Sequence, residues 1–443
     1  MTERTLISDL AGKAGEIVSI QGWVDVRRDQ GKLVFFDFRD RSGTVQGVVL
    51  PGDEALMTAA KEVRNEFVVS VEGIVNNRPE KNIQEGKLNG AIELEIKGIE
   101  VLAKAQELPF DKDTDLNIET RFDYRPFTLR SERDRDIFLV QATAVAAYRN
   151  ALASRGFTDF QAPALVGGDA EGGAAVFKVQ YYNDQTAYLA TSPQLYKQIM
   201  VGAFERVFTI AKIFRAEKSA TTRHLSELTQ MDFEMGFIND EHDVMNTLEA
   251  VIRDTVREVA AKHGDVFVRM NVETPALGEK FPVLTLAEAH ATLGVEPEDD
   301  MTPEHERAIC EWAKKEHNCD FVFITRFPTA ARAFYTMADS EDPTFSKGFD
   351  LLFRGLEINS GAQRIHDYDE MVARIEERGM DPKKFDFYLQ AFKYGLPPHG
   401  GCSTGLERFT ARMLELANVK EASPFPRDMN RIDTFLSKNE ADV

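Results

Sequence analysis

The chain has 443 residues and a mass of 49.8 kDa, more than one hydrophobic core usually serves, so two domains are expected. Its 43% hydrophobic content fits a globular protein, and its longest apolar runs, such as FVVSVEGIV from Phe67, fall far short of the roughly 20 residues a membrane span needs. A net charge of −20 excludes non-specific binding to nucleic acid or anionic membrane through the whole surface, so a nucleic-acid partner must be met locally. The first 105 residues carry 14 Lys or Arg against 17 Asp or Glu, which makes the N-terminal part the less repulsive one. Cys310, Cys319 and Cys402 are odd in number and lack CxxC spacing, supporting neither a disulfide framework nor a structural zinc site. The N-terminal MTERTLISDL has no hydrophobic signal core, and a cytoplasmic location is expected.

From about residue 18 to residue 102 the sequence reads as five short strands: IVSIQGWVDV, KLVFFDFRD, GTVQGVVL, FVVSVEGIV and AIELEIKGIEVL. DEALMTAAKEV from Asp53 suits a helix after the third, with an acidic start and a repeating apolar face. That order is the order of an OB-fold barrel, whose curved face commonly stacks single-stranded bases on aromatics. Phe35 and Phe36 are consecutive in one strand and point to opposite faces, so one belongs to the core and the other is a base platform or a second packed ring.

Residues 103–136 lose apolar periodicity and gain charge and two prolines, the composition of a linker or hinge. Helical spacing begins at Ile137 in IFLVQATAVAAYRNALASRGF, with Gly156 as its stop, and TDFQAPALV is expected as a strand ending near Pro163. GGDAEGGAAVF fits either a mobile substrate-covering loop or a plain surface turn. A strand at Tyr188–Ala190 leads to a helix from about Ser192, on which Gln194, Lys197 and Gln198 share one face. A lysine in the first turns opposes the helix dipole, so Lys197 is expected to be solvent-exposed or held for a ligand anion.

The stretch Phe214–Phe237 lies between VFTIAKIF and an alternating run in which Met231, Phe233, Met235 and Phe237 are spaced by polar or small residues. The pattern predicts two antiparallel strands joined by a cationic loop, with Arg215 where the first strand ends and Arg223 and His224 in the loop. Such a loop can close over a bound nucleotide; a hairpin with a solvated basic tip is the alternative. Further on, residues 243–263 predict an amphipathic helix, TPEHERAICEWAKKEH a helix capped at Thr302, and FVFITRFP a strand. In FDLLFRGLEINSGAQRIH a strand carries Asp350 and Glu357 through Asn359–Gly361 to Arg364, groups suited to a metal–phosphate and a carboxylate, or to a surface ion-pair cluster. LPPHGGCSTGLERF is a glycine-dense strand or loop entering a helix with Arg408 at its start, and such glycines permit close approach to a ligand.

Together these blocks resemble the three signature motifs of class II aminoacyl-tRNA synthetases and, within that class, the aspartyl-tRNA synthetase family. Motif 1 would correspond to the Ile137 helix through Pro163, motif 2 to FRAEKSATTRHLSELTQMDFEM and motif 3 to GLPPHGGCSTGLERF; EGG at Glu171–Gly173 and LEINSGAQRIH at Leu356–His366 also fit the family, and SPQLYKQ at Ser192–Gln198 resembles the aspartyl type more than its asparaginyl and lysyl relatives. The likeness covers essentially the whole chain. It implies an α+β protein: an OB-fold anticodon-binding barrel in residues 1–104, a linker in 105–136, and a catalytic domain in 137–443. That domain would be a six- or seven-stranded antiparallel sheet flanked by helices, forming a homodimer through motif 1. The implied reaction activates L-aspartate with ATP and Mg²⁺ and transfers it to the 3′ end of tRNA(Asp), with tRNA(Asn) left open as a second acceptor.

Carried onto this sequence, the resemblance makes Arg215 and Arg408 the catalytic cations, Arg215 holding the α-phosphate and the attacking carboxylate. Glu217, Arg223, His224 and Leu225 would complete the ATP site with Glu357 and Arg408, and Glu357 and Ser360 would bind Mg²⁺. Lys197 and Arg364 would read the substrate's side-chain carboxylate, with Glu171, Ser192, Gln194, Asp232 and Ser360 around the rest of the aspartate. In the barrel, Arg28, Phe35, Gln46 and Glu93 would meet the anticodon. Three positions depart from the family pattern: Leu228 stands where an aromatic often stacks on adenine, Cys402–Thr404 replaces a glycine-rich core, and Gln30 replaces a frequent leucine. The competing readings are an asparaginyl- or lysyl-type synthetase, a synthetase-like amino-acid-metabolising paralogue, and a non-enzymatic OB-fold RNA-binding module.

Overall fold

The structure is a computed structural model that describes residues 3–111, 114–168, 175–218 and 221–433, and the chain divides into two compact units, Met1–Thr114 and Asp115–Val443. In the first unit β1 (Ile17–Asp29), β2 (Val34–Asp40), β3 (Gly43–Val49), β4 (Val68–Asn77) and β5 (Ile92–Ala103) close a barrel in the order β1-β2-β3-β5-β4. Between β3 and β4 lies α1 (Glu54–Glu62), started by the Asp53 carboxylate, which accepts the Leu56 N–H at 2.9 Å. Val34, Phe36 and Phe38 fill the barrel with Val18, Ile20, Leu94 and Ile96, which leaves Phe35 on the outward face.

The second unit opens with α2 (Ile118–Asp123), α3 (Arg125–Thr128) and α4 (Glu132–Ala153), so the segment expected as a linker to residue 136 is helical from 118 and packs within this unit. Three of its charged residues, Arg125, Asp134 and Asp136, are buried. Asp134 is 1% exposed and accepts from Arg121 Nη2 at 2.7 Å and Arg125 Nη1 at 3.2 Å, while Arg125 also donates to the carbonyls of Ser423 and Pro424. Burial pushes the Arg125 guanidinium down to about 10 against the pull of Asp134. Asp134→Ala leaves that cation buried without its carboxylate and is expected to cost about 3–5 kcal/mol in urea unfolding; a variant as stable as the native chain would show the pair to be dispensable.

The elements that follow are β6 (Thr158–Asp159), β7 (Leu165–Val166), β8 (Lys178–Gln180), β9 (Thr186–Leu189), α5 (Gln194–Phe204), β10 (Arg206–Phe214), β11 (Glu227–Gly236), α6 (Glu241–Met270) and β12 (Val283–Thr285). Next come α7 (Leu286–Leu293), α8 (Pro303–His317), β13 (Phe321–Thr325), β14 (Gly348–Phe353), β15 (Leu356–Gln363), α9 (Tyr368–Glu377), α10 (Asp386–Lys393), β16 (His399–Gly405) and α11 (Leu406–Met413). Eight strands form one sheet ordered β12-β13-β14-β15-β16-β11-β10-β6. Its six inner strands are antiparallel, and β12 and β6 add a parallel strand at each edge, so the sheet is wider than the six or seven strands expected. The strand expected through Pro163 is reduced to the two residues of β6, with β7 in a separate small sheet beyond the proline, which has no N–H for a ladder. The helix expected over 243–263 starts earlier, under an Asp240 cap, and continues past a break at His263 to Met270. No helix among the described residues is long and apolar enough to cross a membrane.

Candidate active site

The β10–β11 hairpin runs in register from Arg206↔Met235 to Phe214↔Glu227, so Arg215 leaves the sheet where the loop begins, its N–H bonded to the Ser226 carbonyl at 2.9 Å. Along β11, Met231, Phe233 and Met235 enter the main core, and Gln230, Asp232 and Glu234 turn to the other face. That second face borders a cavity of about 320 Å³. Of the residues expected from sequence, Arg215, Glu217, Arg223, His224, Leu225 and Arg408 line it at one end, and Ser192, Gln194, Glu357, Ser360 and Arg364 line the rest. Lys197 and Asp232 lie behind its wall, fully buried, and Glu171 falls outside the described residues.

Lys197 is not solvent-exposed. Its Nζ donates to Asp232 Oδ2 at 2.9 Å and to the Cys402 carbonyl at 3.2 Å, and lies 3.4 Å from Glu234 Oε2. Glu234, a residue the sequence analysis assigned no role, also accepts from Arg364 Nε at 2.9 Å. Its neighbour on β16 is Gly401, where a Cβ would sit 2.2 Å from Glu234 Oε2, so the glycine makes room for the carboxylate. Burial raises the Glu234 carboxyl's affinity for a proton, but Arg364 and Lys197 more than offset it and hold the group below its ordinary range. Asp232 is fixed from its other oxygen by Ser403 Oγ at 2.7 Å. Two cations and two carboxylates thus form a neutral buried cluster. Arg364 Nη2 is used by the Gly401 carbonyl at 2.8 Å, while Nη1 makes no hydrogen bond among the described residues. Gln198 and His399, also missed, brace this end: Gln198 lies 2.9 Å from His399 Nε2 and accepts from Tyr388 at 3.0 Å, and burial pushes His399 down to about 4, so it is neutral.

At the other end, Arg215 makes no side-chain hydrogen bond among the described residues, whereas Arg408 Nη1 donates to Glu357 Oε2 at 3.2 Å and Arg223 Nη1 to Glu306 at 2.7 Å. Glu357 and Ser360, three apart, would face opposite sides of a regular strand. They reach the same cavity because β15 carries a bulge: Leu351 pairs with Asn359 but Leu352 with Glu357, leaving Ile358 as the extra residue. Burial raises the Glu357 carboxyl above its ordinary value against Arg408, Arg332 and Arg215, and nearby Asp350 adds to the rise. Asp350 pairs with Ser360 across β14–β15. Burial, then Arg408, Arg215 and Arg223, lower the His224 imidazole below 6.5, while Glu217 opposes them.

In the barrel, the pairing Arg28↔Phe35, Asp37↔Gln46 and Val48↔Glu95 places Arg28, Phe35, Gln46 and Glu93 on one outward face across four strands. Arg28 is held there by a fork onto Asp37 at 2.8 and 3.0 Å.

An OB-fold barrel in one unit and, in the other, an antiparallel sheet whose hairpin, bulged strand and glycine-rich strand surround an arginine-lined cavity are the construction of a nucleotide-using class II ligase. A family model described as tRNA synthetases class II (D, K and N) matches residues 117–429, and one described as an OB-fold nucleic acid binding domain matches residues 18–102. The chain belongs to the class II tRNA synthetases of this D, K and N group. It is 41% identical to the aspartate–tRNA(Asp/Asn) ligase of Thermus thermophilus over 97% of this chain and 99% of that protein, and 37% identical to the aspartate–tRNA(Asp) ligase of Thermococcus kodakarensis over 94% and 96%. The asparaginyl-tRNA synthetase from Pyrococcus horikoshii complexed with asparaginyl-adenylate superposes with a TM-score of 0.89 at 32% identity, covering 98% of this chain and 100% of that one. The aspartyl-tRNA synthetase from Entamoeba histolytica gives 0.87 at 29%, covering 98% and 93%.

Proposed function

We propose that the protein is an aspartate–tRNA ligase that forms aspartyl-adenylate from L-aspartate and ATP and passes the aspartyl group to the 3′ end of tRNA(Asp), with tRNA(Asn) as a second acceptor. The backbone does not choose the amino acid, since aspartyl and asparaginyl enzymes superpose equally well. The observation that carries the reading is Nη1 of Arg364, which has no hydrogen-bond partner among the described residues, on a residue of the cavity wall. Its two N–H donors match the acceptor oxygens of a carboxylate, whereas an amide of the same shape turns its own N–H groups toward them. Because Glu234 already neutralises one cation, rejection of asparagine rests on this donor match rather than on two uncompensated charges. Lys197 sets the cluster's charge from behind.

In this reading the α-carboxylate attacks the α-phosphate, pyrophosphate leaves, and Arg215 holds both partners while Arg223, His224 and Arg408 take the outer phosphates. Ser192, Gln194 and Asp232 serve the aspartate, Glu217 and Leu225 the adenosine. Glu357 and Ser360 would hold Mg²⁺, a hard cation suited to their oxygens, which supplies charge neutralisation on the phosphates. Arg28, Phe35, Gln46 and Glu93 form the anticodon face, and a homodimer through α4 and the segment after it, working in the cytoplasm, completes the picture. Side-by-side charging of tRNA(Asp) and tRNA(Asn) with aspartate tests it: both should be charged, and pyrophosphate exchange driven by asparagine or lysine but not by aspartate would overturn it.

His224 carries a pH prediction. Its value is lowered in the free protein, and a polyphosphate neutralises the three arginines that lower it, so ATP binding takes up a proton. ATP affinity is expected to rise as pH falls toward the lowered value and to level off below it. Calorimetry in two buffers of different ionisation enthalpy reads the proton directly, and His224→Asn should lose the uptake that His224 provides.

A further inference from the structure

Arg332 lies on the cavity wall, and no role expected from sequence includes it. Its guanidinium forks onto Asp350, Nη2 to Oδ2 at 2.7 Å and Nη1 to Oδ1 at 3.1 Å, and Nη1 reaches Ser360 Oγ at 3.3 Å. The Phe327 ring lies beneath it at 3.7 Å from the centroid, and its side chain is 18% exposed. The turn that delivers it is tied down by Arg378, which donates to the carbonyls of Thr329, Ala330 and Arg332 at 2.9, 3.1 and 2.8 Å. Arg332 is therefore a built part of the cavity.

We propose that Arg332 is a resident cation that closes the divalent-metal place of the free enzyme, so that metal enters together with the nucleotide. The inference rests on the reading above in which Glu357 and Ser360 hold the metal. A divalent cation binds through oxygen lone pairs, and a guanidinium offers only donors. The Ser360 hydroxyl and the neighbouring Asp350 carboxylate are engaged by Arg332, and Glu357 by Arg408. In the absence of nucleotide, a divalent ion at Ser360 would sit against the Arg332 guanidinium, 3.3 Å from the hydroxyl, and would compete with Arg408 for Glu357. A bound polyphosphate offers both arginines anionic oxygens of its own, which frees the oxygens of Glu357 and Ser360 for the metal.

The test is Mn²⁺ binding to the purified full-length protein, followed by electron paramagnetic resonance, with and without a non-hydrolysable ATP analogue. Native protein is expected to bind Mn²⁺ saturably with the analogue and only weakly without it. Arg332→Ala and Arg332→Gln, the second keeping a planar polar group should the first fail to fold, are expected to bind Mn²⁺ at least about 10-fold more tightly than native protein in the absence of nucleotide, and Arg332→Lys to stay close to native. Native-like weak binding by a folded Ala or Gln variant without nucleotide, alongside normal binding with it, overturns the role of Arg332 and leaves the metal reading standing. Absence of saturable binding by native protein even with the analogue overturns the metal reading, and the proposal with it.

Discussion

Arg215→Ala is expected to slow aspartate-dependent ATP–pyrophosphate exchange by about 10³-fold while leaving the urea midpoint almost unchanged. The two halves of that expectation have one origin. Among the described residues the Arg215 guanidinium makes no hydrogen bond, so its removal leaves no buried partner stranded and costs the fold little. The same isolation leaves its donors free for the phosphate under attack and the carboxylate attacking it, where charge grows in the transition state. Arg215→Lys should recover only part of the rate, since a point charge replaces a two-pronged fork. A variant within about 10-fold of native exchange would remove Arg215 from the chemistry.

Glu234→Ala is expected to have the opposite profile, a stability loss of about 3–5 kcal/mol in urea unfolding together with loss of aspartate activation. Lys197 and Arg364 are 1% and 4% exposed, and Glu234 is the carboxylate they share. Without it two cations face each other in a buried site with one remaining acid, Asp232. Glu234→Gln keeps the shape and part of the hydrogen bonding, and should fall between native and alanine. The folded carboxyl lies below its ordinary 4.5, so the unfolded chain takes up the proton first. The stabilisation by Glu234 is therefore whole above about 4.5 and is lost as pH falls through the lowered folded value. The Gln variant, which cannot titrate there, should show a flatter acid limb below about pH 4.5, measured as the urea midpoint against pH; identical acid limbs would refute the pairing.

The barrel was legible because its information is local. Five alternating runs, a capped helix after the third and an outward ring next to an inward one are all properties of neighbouring residues, and Phe35 and Phe36 fall on the faces that alternation requires. The hairpin was legible for the same reason, and its alternation already set Gln230, Asp232 and Glu234 on one side. That alternation is the sequence signal for Glu234, which shares the polar half of the pattern with Asp232. Charge misled most in 105–136, where charged residues, two prolines and lost apolar periodicity read as a linker. Arg125 and Asp134 neutralise each other, and that pairing lets them be buried.

What the amino-acid order determined by itself is the set of elements and the chemical kinds of group they carry: strands by period, helices by cap and stop, arginines and carboxylates at the ends of strands. What only the tertiary structure decided is which of those groups share a volume. Glu357 and Ser360 meet through a one-residue bulge that no strand periodicity announces. Arg332 meets Asp350 across 18 positions of sequence, and Arg364 meets Glu234 across 130. The physical reason is range: backbone preference acts over a few neighbouring residues, whereas the energy of a buried charge is set by whichever partner the packed sheet brings within about 4 Å.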